Sequence, residues 1–584
     1  MIGPPENMSL ETAQQQSTSL AHDVSTGTGR WTLRRSWMAT AALAVLMLAY
    51  FVRNEGWPTN VAYTIGITGT LVSLLVLASR RVLFSTAMVA ALVSLVIIAA
   101  DVKWNYIGMV LHAYDVVFYM MSPDTLWYLW IDFRKELIAL ATTFVAIGLL
   151  AVYLYRSDPT RSTRSSAAIG LVLALVLSGG ANQLRGERPH TLFYWDNLYV
   201  SSFYSSWAET ISTLWRGQII EASAREPGLR PFAEPQNCPM RERPPHIILI
   251  HQESVFPPSL FPAIDYDETL DPMFRSGDGT LRKLRVETYG GASWLTEFSV
   301  LAGVSTYSFG GMRTFVQSMM QGKVRDSVTQ TLSRCGYDNV LFYPVPKQFV
   351  SSGKFYNSIG INEIYDFHAQ KAKKYNERDR FYYANALDRI AQQVSTSKAP
   401  LFSYIITSVA HLPYKYTHSP EMDVPGGGPG TNPEMHEYLR RLSLVRLDLD
   451  WFRAELKRRF PSERFVIVQY GDHQPIVTRP LLGFGEATAA QDVILAPESR
   501  GFLTYYAVEG INVAVPPLPD VDVLDVPYLG TVMLKSAGLP LSPAGRERLR
   551  LLERCNGRYY QCENQADIMA FHRRLIDGGL LVAR

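Results

Sequence analysis

Five apolar runs in the first third of the chain constrain its fold more than any other feature: roughly Trp37–Val52, Val61–Ser79, Val82–Ala100, Leu137–Tyr155 and Ser166–Gly180. Each approaches the ~20 residues with which a helix crosses ~30 Å of hydrocarbon, although the first and last are shorter than ideal. They predict a five-helix transmembrane domain over residues 30–182. Arg30, Arg34 and Arg35 precede the first run, Arg80 and Arg81 separate the second from the third, and Arg156, Arg161 and Arg164 separate the fourth from the fifth. Basic clusters of this kind mark cytoplasmic loops, so the N-terminus is expected in the cytoplasm and everything after about Gly180 outside. The overall hydrophobic content of 47% conceals this division between an apolar third and a soluble remainder.

Residues 1–29, rich in Ser, Thr, Gln and Gly, read as a disordered cytoplasmic tail rather than a signal peptide, because no basic start leads directly into a short apolar run. Between the third and fourth runs, residues 101–135 are too polar to span and too aromatic for a plain loop, which fits an interfacial or re-entrant segment. Its Lys103, His112 and Asp115 would seat a lipid head group, or its Trp and Tyr residues would only anchor the interface. Residues 183–243, with Phe203, Trp207 and Trp215 at helical spacing, read as a juxtamembrane linker. A formal net charge of +3 without a basic stripe interleaved with aromatics argues against nucleic acid as a partner. The four cysteines, Cys238, Cys335, Cys555 and Cys562, lack metal-type spacing. A disulfide could close the turn between Cys555 and Cys562, but spacing alone does not decide oxidation state.

From residue 244 to 584 the pattern changes to that of an α/β domain. Ile247–His251, Asn339–Phe342, Leu401–Thr407, Phe465–Gln469 and Leu503–Val508 are short, nearly unbroken apolar runs suited to strands buried on both faces. Helical patterns near Lys323–Cys335, Arg380–Gln393 and Glu434–Phe460 lie between them, predicting a mostly parallel sheet with helices on both faces. Ligands of such sheets sit beyond the carboxyl ends of the strands.

The residues at those ends carry chemistry. Glu253 follows the first strand, and Asp472 and His473 follow the run that starts at Phe465, so a carboxylate from one strand and an Asp–His pair from another could hold a divalent cation. Glycines 290 and 291 precede a helical pattern that begins with Leu295 and Phe298, which puts Ser293 in a first helical turn, where anions are stabilised. Ser293 then serves either as a cap or as a nucleophile that also completes the cation site. His411, just past the Leu401 strand, is suited to protonate a leaving group or to hydrogen-bond a phosphoryl oxygen. His251, next to Glu253's position on its strand, is expected to point to the opposite face and to be structural.

In order and spacing, Ile-His-Gln-Glu253-Ser, Gly-Ala-Ser293-Trp-Leu-Thr-Glu-Phe, Val-Ala-His411-Leu-Pro-Tyr and Tyr-Gly-Asp472-His473 resemble the membrane-anchored branch of the alkaline phosphatase and sulfatase superfamily. That branch contains lipoteichoic acid synthases, phosphoglycerol transferases and phosphoethanolamine transferases. Its nucleophile, usually threonine, lies four residues before a Glu-Phe pair, so Glu297-Phe298 selects Ser293 and leaves Thr296 as runner-up. The resemblance implies one Mn, Mg or Zn ion on Glu253, Ser293, Asp472 and His473, and a substrate-binding role for His411. Phe355-Tyr356-Asn357-Ser358 is similar to a substrate-binding segment, with Tyr356 and Asn357 matching and Ser358 standing where the family has arginine. Ser293-Trp-Leu-Thr-Glu lacks the proline and arginine that true sulfatases place around their modified residue, which disfavours sulfate ester hydrolysis.

The implied activity is transfer of a phosphoglycerol or phosphoethanolamine group from a membrane phospholipid to an envelope glycan or glycolipid through a phosphoserine. A phosphodiesterase of the same superfamily and a non-catalytic membrane scaffold are the alternatives. The implied location is a bacterial cytoplasmic membrane with the catalytic domain outside, periplasmic in a Gram-negative cell.

Overall fold

A computed structural model describes residues 32–107, 111–119, 123–185, 199–216, 219–223, 229–235, 238, 243–485 and 495–583; the expected tail over 1–29 lies outside them. The chain divides into two units, one built on the N-terminal helices and one containing residues 207–584.

In the first unit, α1 (Leu33–Asn54), α2 (Pro58–Ser79), most of α3 (Val82–Ile107), α5 (Arg134–Ser157) and α6 (Arg164–Leu184) are long and apolar enough to cross a membrane; the shorter α4 covers Pro123–Asp132. The two short apolar runs become full-length helices because their polar flanks are helical too. Thr32 and Thr163 cap α1 and α6 by accepting from the N–H of Arg35 and of Ser166, and the arginines inside those ends can extend their charges to the interface. Helices α2 and α6 pack through small residues. A Cβ on Gly66 would fall 2.6 Å from the Ser178 nitrogen, so only glycine permits that approach. Within residues 101–135, α3 runs on to Ile107, Asp115–Tyr119 forms a π turn and Lys103 pairs with Asp115 at 2.6 Å. Phe203, Trp207 and Trp215 fall on one helix, α7 (Tyr199–Arg216).

The second unit is organised on eight strands: β1 (His246–Gln252), β2 (Arg282–Arg285), β3 (Asp338–Phe342), β4 (Glu363–Tyr365), β5 (Leu401–Ile406), β6 (Phe465–Gly471), β7 (Leu503–Ile511) and β8 (Val523–Asp525). Their order is β4-β3-β5-β1-β6-β7-β2-β8. Neighbours are parallel except at β7, which runs antiparallel to both β6 and β2. Helices α8 (Ser293–Ala302), α9 (Val328–Arg334), α10 (Ser352–Ser358), α11 (Asp379–Thr396), α12 (Pro433–Arg459), α13 (Leu529–Ser536), α14 (Pro543–Arg554) and α15 (Gln565–Asp577) complete the named elements.

The mostly parallel sheet agrees with the unbroken apolar runs, since every residue of β1, β5 and β6 is buried. The Leu503 run forms the one reversed strand, and the short β2, β4 and β8 offered no apolar run to detect. Helix α9 begins five residues later than the pattern at Lys323 suggests, at a capping box between Ser327 and Gln330. One core packs α11 and α12 on the sheet through Tyr383, Leu387, Leu442 and Leu449 against Ile248, Ile250 and Ile467. Central β1 pairs with β5 and β6 up to His251 and Gln252, so the carboxyl ends of these three strands emerge side by side.

Candidate active site

Two short turns bring the reactive groups together at those strand ends. Beyond β1, Ser254 takes a left-handed backbone and donates its N–H to Asp472 Oδ1 at 2.7 Å, which ties the β1 turn to the β6 turn. Asp472 Oδ1 also accepts the N–H of His473 at 2.8 Å. Between β2 and α8, Gly290, Gly291 and Ala292 all have positive φ, which turns the chain sharply before the first helical residue, Ser293. Ala292, with φ of 62°, is a non-glycine residue held left-handed beside Ser293, a conformation that tends to be kept where it serves function.

Ser293 is not the cap of α8. Ala292 occupies that position and makes no side-chain cap bond. The Ser293 hydroxyl instead donates to Glu253 Oε2 at 2.9 Å and lies 3.5 Å from His473 Nε2. His473 Nε2 is 3.3 Å from both Glu253 Oε1 and Asp472 Oδ2. The expected set of Glu253, Ser293, Asp472 and His473 is therefore brought to one point from β1, α8 and β6. Thr296 points elsewhere: its buried hydroxyl donates to the Asp472 carbonyl at 2.8 Å and braces the β6 turn.

His251 corrects the reading from sequence. Residues 251 and 253 are two apart, so strand alternation puts them on the same face rather than opposite ones. The ring is fully buried, with Nε2 3.1 Å from Asp472 Oδ2, and ligand atoms of His251, Glu253 and Asp472 lie within 4.8 Å of one another. On its other side Nδ1 meets the Tyr470 hydroxyl at 3.1 Å, itself 2.7 Å from that of Tyr404.

Tyr356 is a second correction. It is fully buried and its hydroxyl donates to the Glu297 carboxylate, so it supports α8 from behind rather than facing substrate. Gln317 donates to the same carboxylate at 3.1 Å. Asn357, next on α10, is exposed, and among the described residues its side chain makes no hydrogen bond with the cluster. His411 is exposed beyond β5. Its Nδ1 carries a proton, because it donates to the Leu412 carbonyl at 2.7 Å, and Nε2 is left as the presented atom.

The electrostatics suit a cation. Burial pushes the Glu253 carboxyl up, but the neighbouring His251 and His473 rings and the charge of His411 outweigh it and hold the group well below the ordinary range. Burial lowers His473, yet the Asp472 and Glu253 carboxylates overcome that and raise it to about 9; His251 is raised to about 10 against the same opposition, chiefly by Asp472. Glu297, 3.9 Å from His251 Nδ1, is raised by burial against the charge of that ring. Positive charge is thus strongly favoured at the cluster. Asp472 Oδ2 and His251 Nε2 are buried without a hydrogen-bond partner although 3.1 Å apart, so each is aimed past the other. Hard carboxylate and borderline imidazole donors with orphaned atoms fit a divalent ion such as Mn, Mg or Zn.

Comparison with known proteins agrees with this construction. Residues 286–497 match the family described as Sulfatase. An uncharacterized protein of Haemophilus influenzae is 23% identical over 313 residues, 50% of this chain and 51% of that one, so the chain spans about half the length of this curated relative. Among solved structures, the phosphoglycerol transferase GacH of Streptococcus pyogenes, in complex with sn-glycerol-1-phosphate, is 16% identical with a TM-score of 0.45, over 65% of this chain and 93% of that one. The lipooligosaccharide phosphoethanolamine transferase EptA of Neisseria meningitidis is 13% identical with a TM-score of 0.42, over 88% and 99%. Five helices of membrane-spanning length thus precede an α/β unit of which residues 286–497 match the Sulfatase family.

Proposed function

We propose that the chain transfers a phospho-substituent, phosphoglycerol or phosphoethanolamine, from a membrane phospholipid to an envelope glycan or glycolipid through a phosphoserine at Ser293. The observation that carries this reading is the uncapped Ser293 hydroxyl at the start of α8, hydrogen-bonded to Glu253 at 2.9 Å beside His473. Glu253, Asp472, His473 and Ser293 would hold one divalent ion, which lowers the pKa of the hydroxyl and polarises a phosphoryl oxygen. The Ser293 hydroxyl would pass its proton to the Glu253 carboxylate that accepts from it as its oxygen attacks phosphorus, and the bond to the diacylglycerol oxygen breaks as that oxygen takes up a proton. His411, through Nε2 when the ring carries a second proton there, would bind a phosphoryl oxygen or supply that proton. The acceptor hydroxyl then displaces Ser293 in a second attack. The dipole of α8 favours the negative charge throughout.

Covalent attachment to membrane-spanning helices raises the effective concentration of a lipid donor. Two disulfides, Cys238–Cys335 and Cys555–Cys562, use all four cysteines, which favours an oxidising, extracytoplasmic setting for this unit. The arginine clusters at the opposite helix ends support a cytoplasmic N-terminus.

The test is mass spectrometry of the full chain in detergent after incubation with Mn and phosphatidylglycerol or phosphatidylethanolamine. A head-group adduct is expected on the Ser293 peptide, absent in Ser293→Ala and after chelation, present in Thr296→Ala. Head-group phosphate released without any acceptor product identifies a phosphodiesterase instead. Absence of adduct and of diacylglycerol release with either lipid refutes phosphoryl transfer.

A further inference from the structure

The largest fully buried side chain among the described residues is a charged one, Arg441 of α12. Removing a guanidinium from water costs several kcal/mol unless its donors are satisfied and its charge is paired. Both conditions are met. Nε donates to Glu437 Oε1 at 2.8 Å, one turn earlier on the helix. The two terminal nitrogens donate to three carbonyls of a single loop: Nη1 to His411 at 2.6 Å, Nη2 to Pro413 at 2.8 Å and Tyr416 at 3.2 Å. The rings of Tyr414 and Tyr416 lie 5.1 and 4.9 Å from the guanidinium carbon.

The same loop is gripped at its other end. Asp379, the first residue of α11, accepts the N–H groups of Ser408 at 3.2 Å and Val409 at 3.0 Å, and the Tyr414 hydroxyl donates to the Ala410 carbonyl at 2.7 Å. His411 is exposed on this loop, as are Pro413, Lys415 and Tyr416. The Leu412 carbonyl that accepts from His411 Nδ1 lies between the two carbonyls, of His411 and Pro413, that Arg441 holds. Loosening Arg441 would therefore free the acceptor that orients the imidazole.

We propose that Arg441, locked by Glu437, is a positioning residue that sets the place and ring orientation of His411 for substrate. The inference rests on the reading of His411 as a substrate-binding group. Lysine cannot replace the arginine, because a point ammonium cannot serve a carboxylate on one side and three carbonyls on the other as a planar fork does.

The test uses the full chain in detergent, with Arg441→Lys, Glu437→Gln, His411→Ala and the Arg441→Lys/His411→Ala pair. Two readouts are taken: amide exchange in the peptide covering residues 408–416, and release of labelled diacylglycerol from micellar phosphatidylglycerol and phosphatidylethanolamine. In Arg441→Lys, exchange in that peptide should rise roughly tenfold while peptides from β1 and β6 keep wild-type protection. KM should rise roughly tenfold with kcat little changed, and no further in the His411→Ala background, where the shared function is already lost. Unchanged exchange in the loop, or a KM effect undiminished without His411, overturns the proposal. If Arg441→Lys does not fold, Glu437→Gln, which keeps an acceptor but removes the charge, decides by the same measures. His411→Ala with wild-type kinetics would instead refute the substrate role of His411 and with it the use assigned to the clamp, while the exchange data would still show whether the clamp exists.

Discussion

At the scale of single residues, the site separates hydroxyls that the sequence left in competition. Ser293 faces Glu253 and His473, whereas Thr296 is spent on the Asp472 carbonyl. Thr296→Ala should therefore keep the capacity to form an adduct and lose about 1 kcal/mol of stability, the usual worth of one buried hydrogen bond, measured by denaturant unfolding. Glu297 offers a contrast of the same kind. Its carboxyl is raised by burial and is held by Tyr356 and Gln317. Glu297→Gln should be tolerated better than Glu297→Ala, which leaves two buried donors unsatisfied at about 1–3 kcal/mol each; equal melting temperatures for the two variants would contradict this. Glu253, Asp472 and His473 were legible because each follows an apolar strand. The position of His251 was legible as well, from the same alternation, once residues 251 and 253 are counted as two apart. Tyr356 was not, because its motif carries no sign of whether an aromatic hydroxyl faces substrate or a buried carboxylate.

At the scale of elements, α11 and α12 hold the β5 loop through groups whose ionisation matters to the fold. Asp379 is pushed up to about 7, first by burial and then by the nearby Asp448 carboxylate, against the N–H groups of Val409 and Ser408 and the charge of Arg378. The ordinary value is 3.8, so between about 4 and 7 the folded chain keeps a proton that the unfolded chain has released. Stability should fall as pH rises through that window, by up to about 1.4 kcal/mol per pH unit from this group. Asp379→Asn, which keeps an acceptor oxygen, should flatten the dependence when unfolding is followed from pH 5 to 7; an unaltered slope would assign the proton elsewhere. The long elements of this layer could be read in advance because their apolar residues recur with a helical or strand period. Strands β2, β4 and β8 could not, since Arg-Lys-Leu-Arg or a three-residue segment becomes a strand only through the neighbour that supplies its hydrogen bonds.

At the scale of the whole molecule, the two disulfides differ in what they constrain. Cys238–Cys335 spans 97 residues and Cys555–Cys562 spans 7, so loop-closure entropy predicts that the first stabilises by about 2 kcal/mol more than the second. Cys238→Ala/Cys335→Ala should accordingly lower the melting temperature further than Cys555→Ala/Cys562→Ala, and the reverse order would show that native contacts outweigh chain entropy here. The sequence by itself determined the division of the chain, because hydrocarbon length and the charge of flanking loops act on contiguous residues, and it determined the parallel core, because strands buried on both faces must be apolar throughout. Only the tertiary structure decided which cysteines pair, that β7 is reversed, that Ser293 rather than Thr296 meets Glu253, and that Arg441 and Asp379 hold the loop that carries His411. Apart from Cys555–Cys562, only 7 residues apart, each of these depends on groups tens to hundreds of residues apart meeting at a distance of a few ångströms, and such meetings leave no period in the sequence.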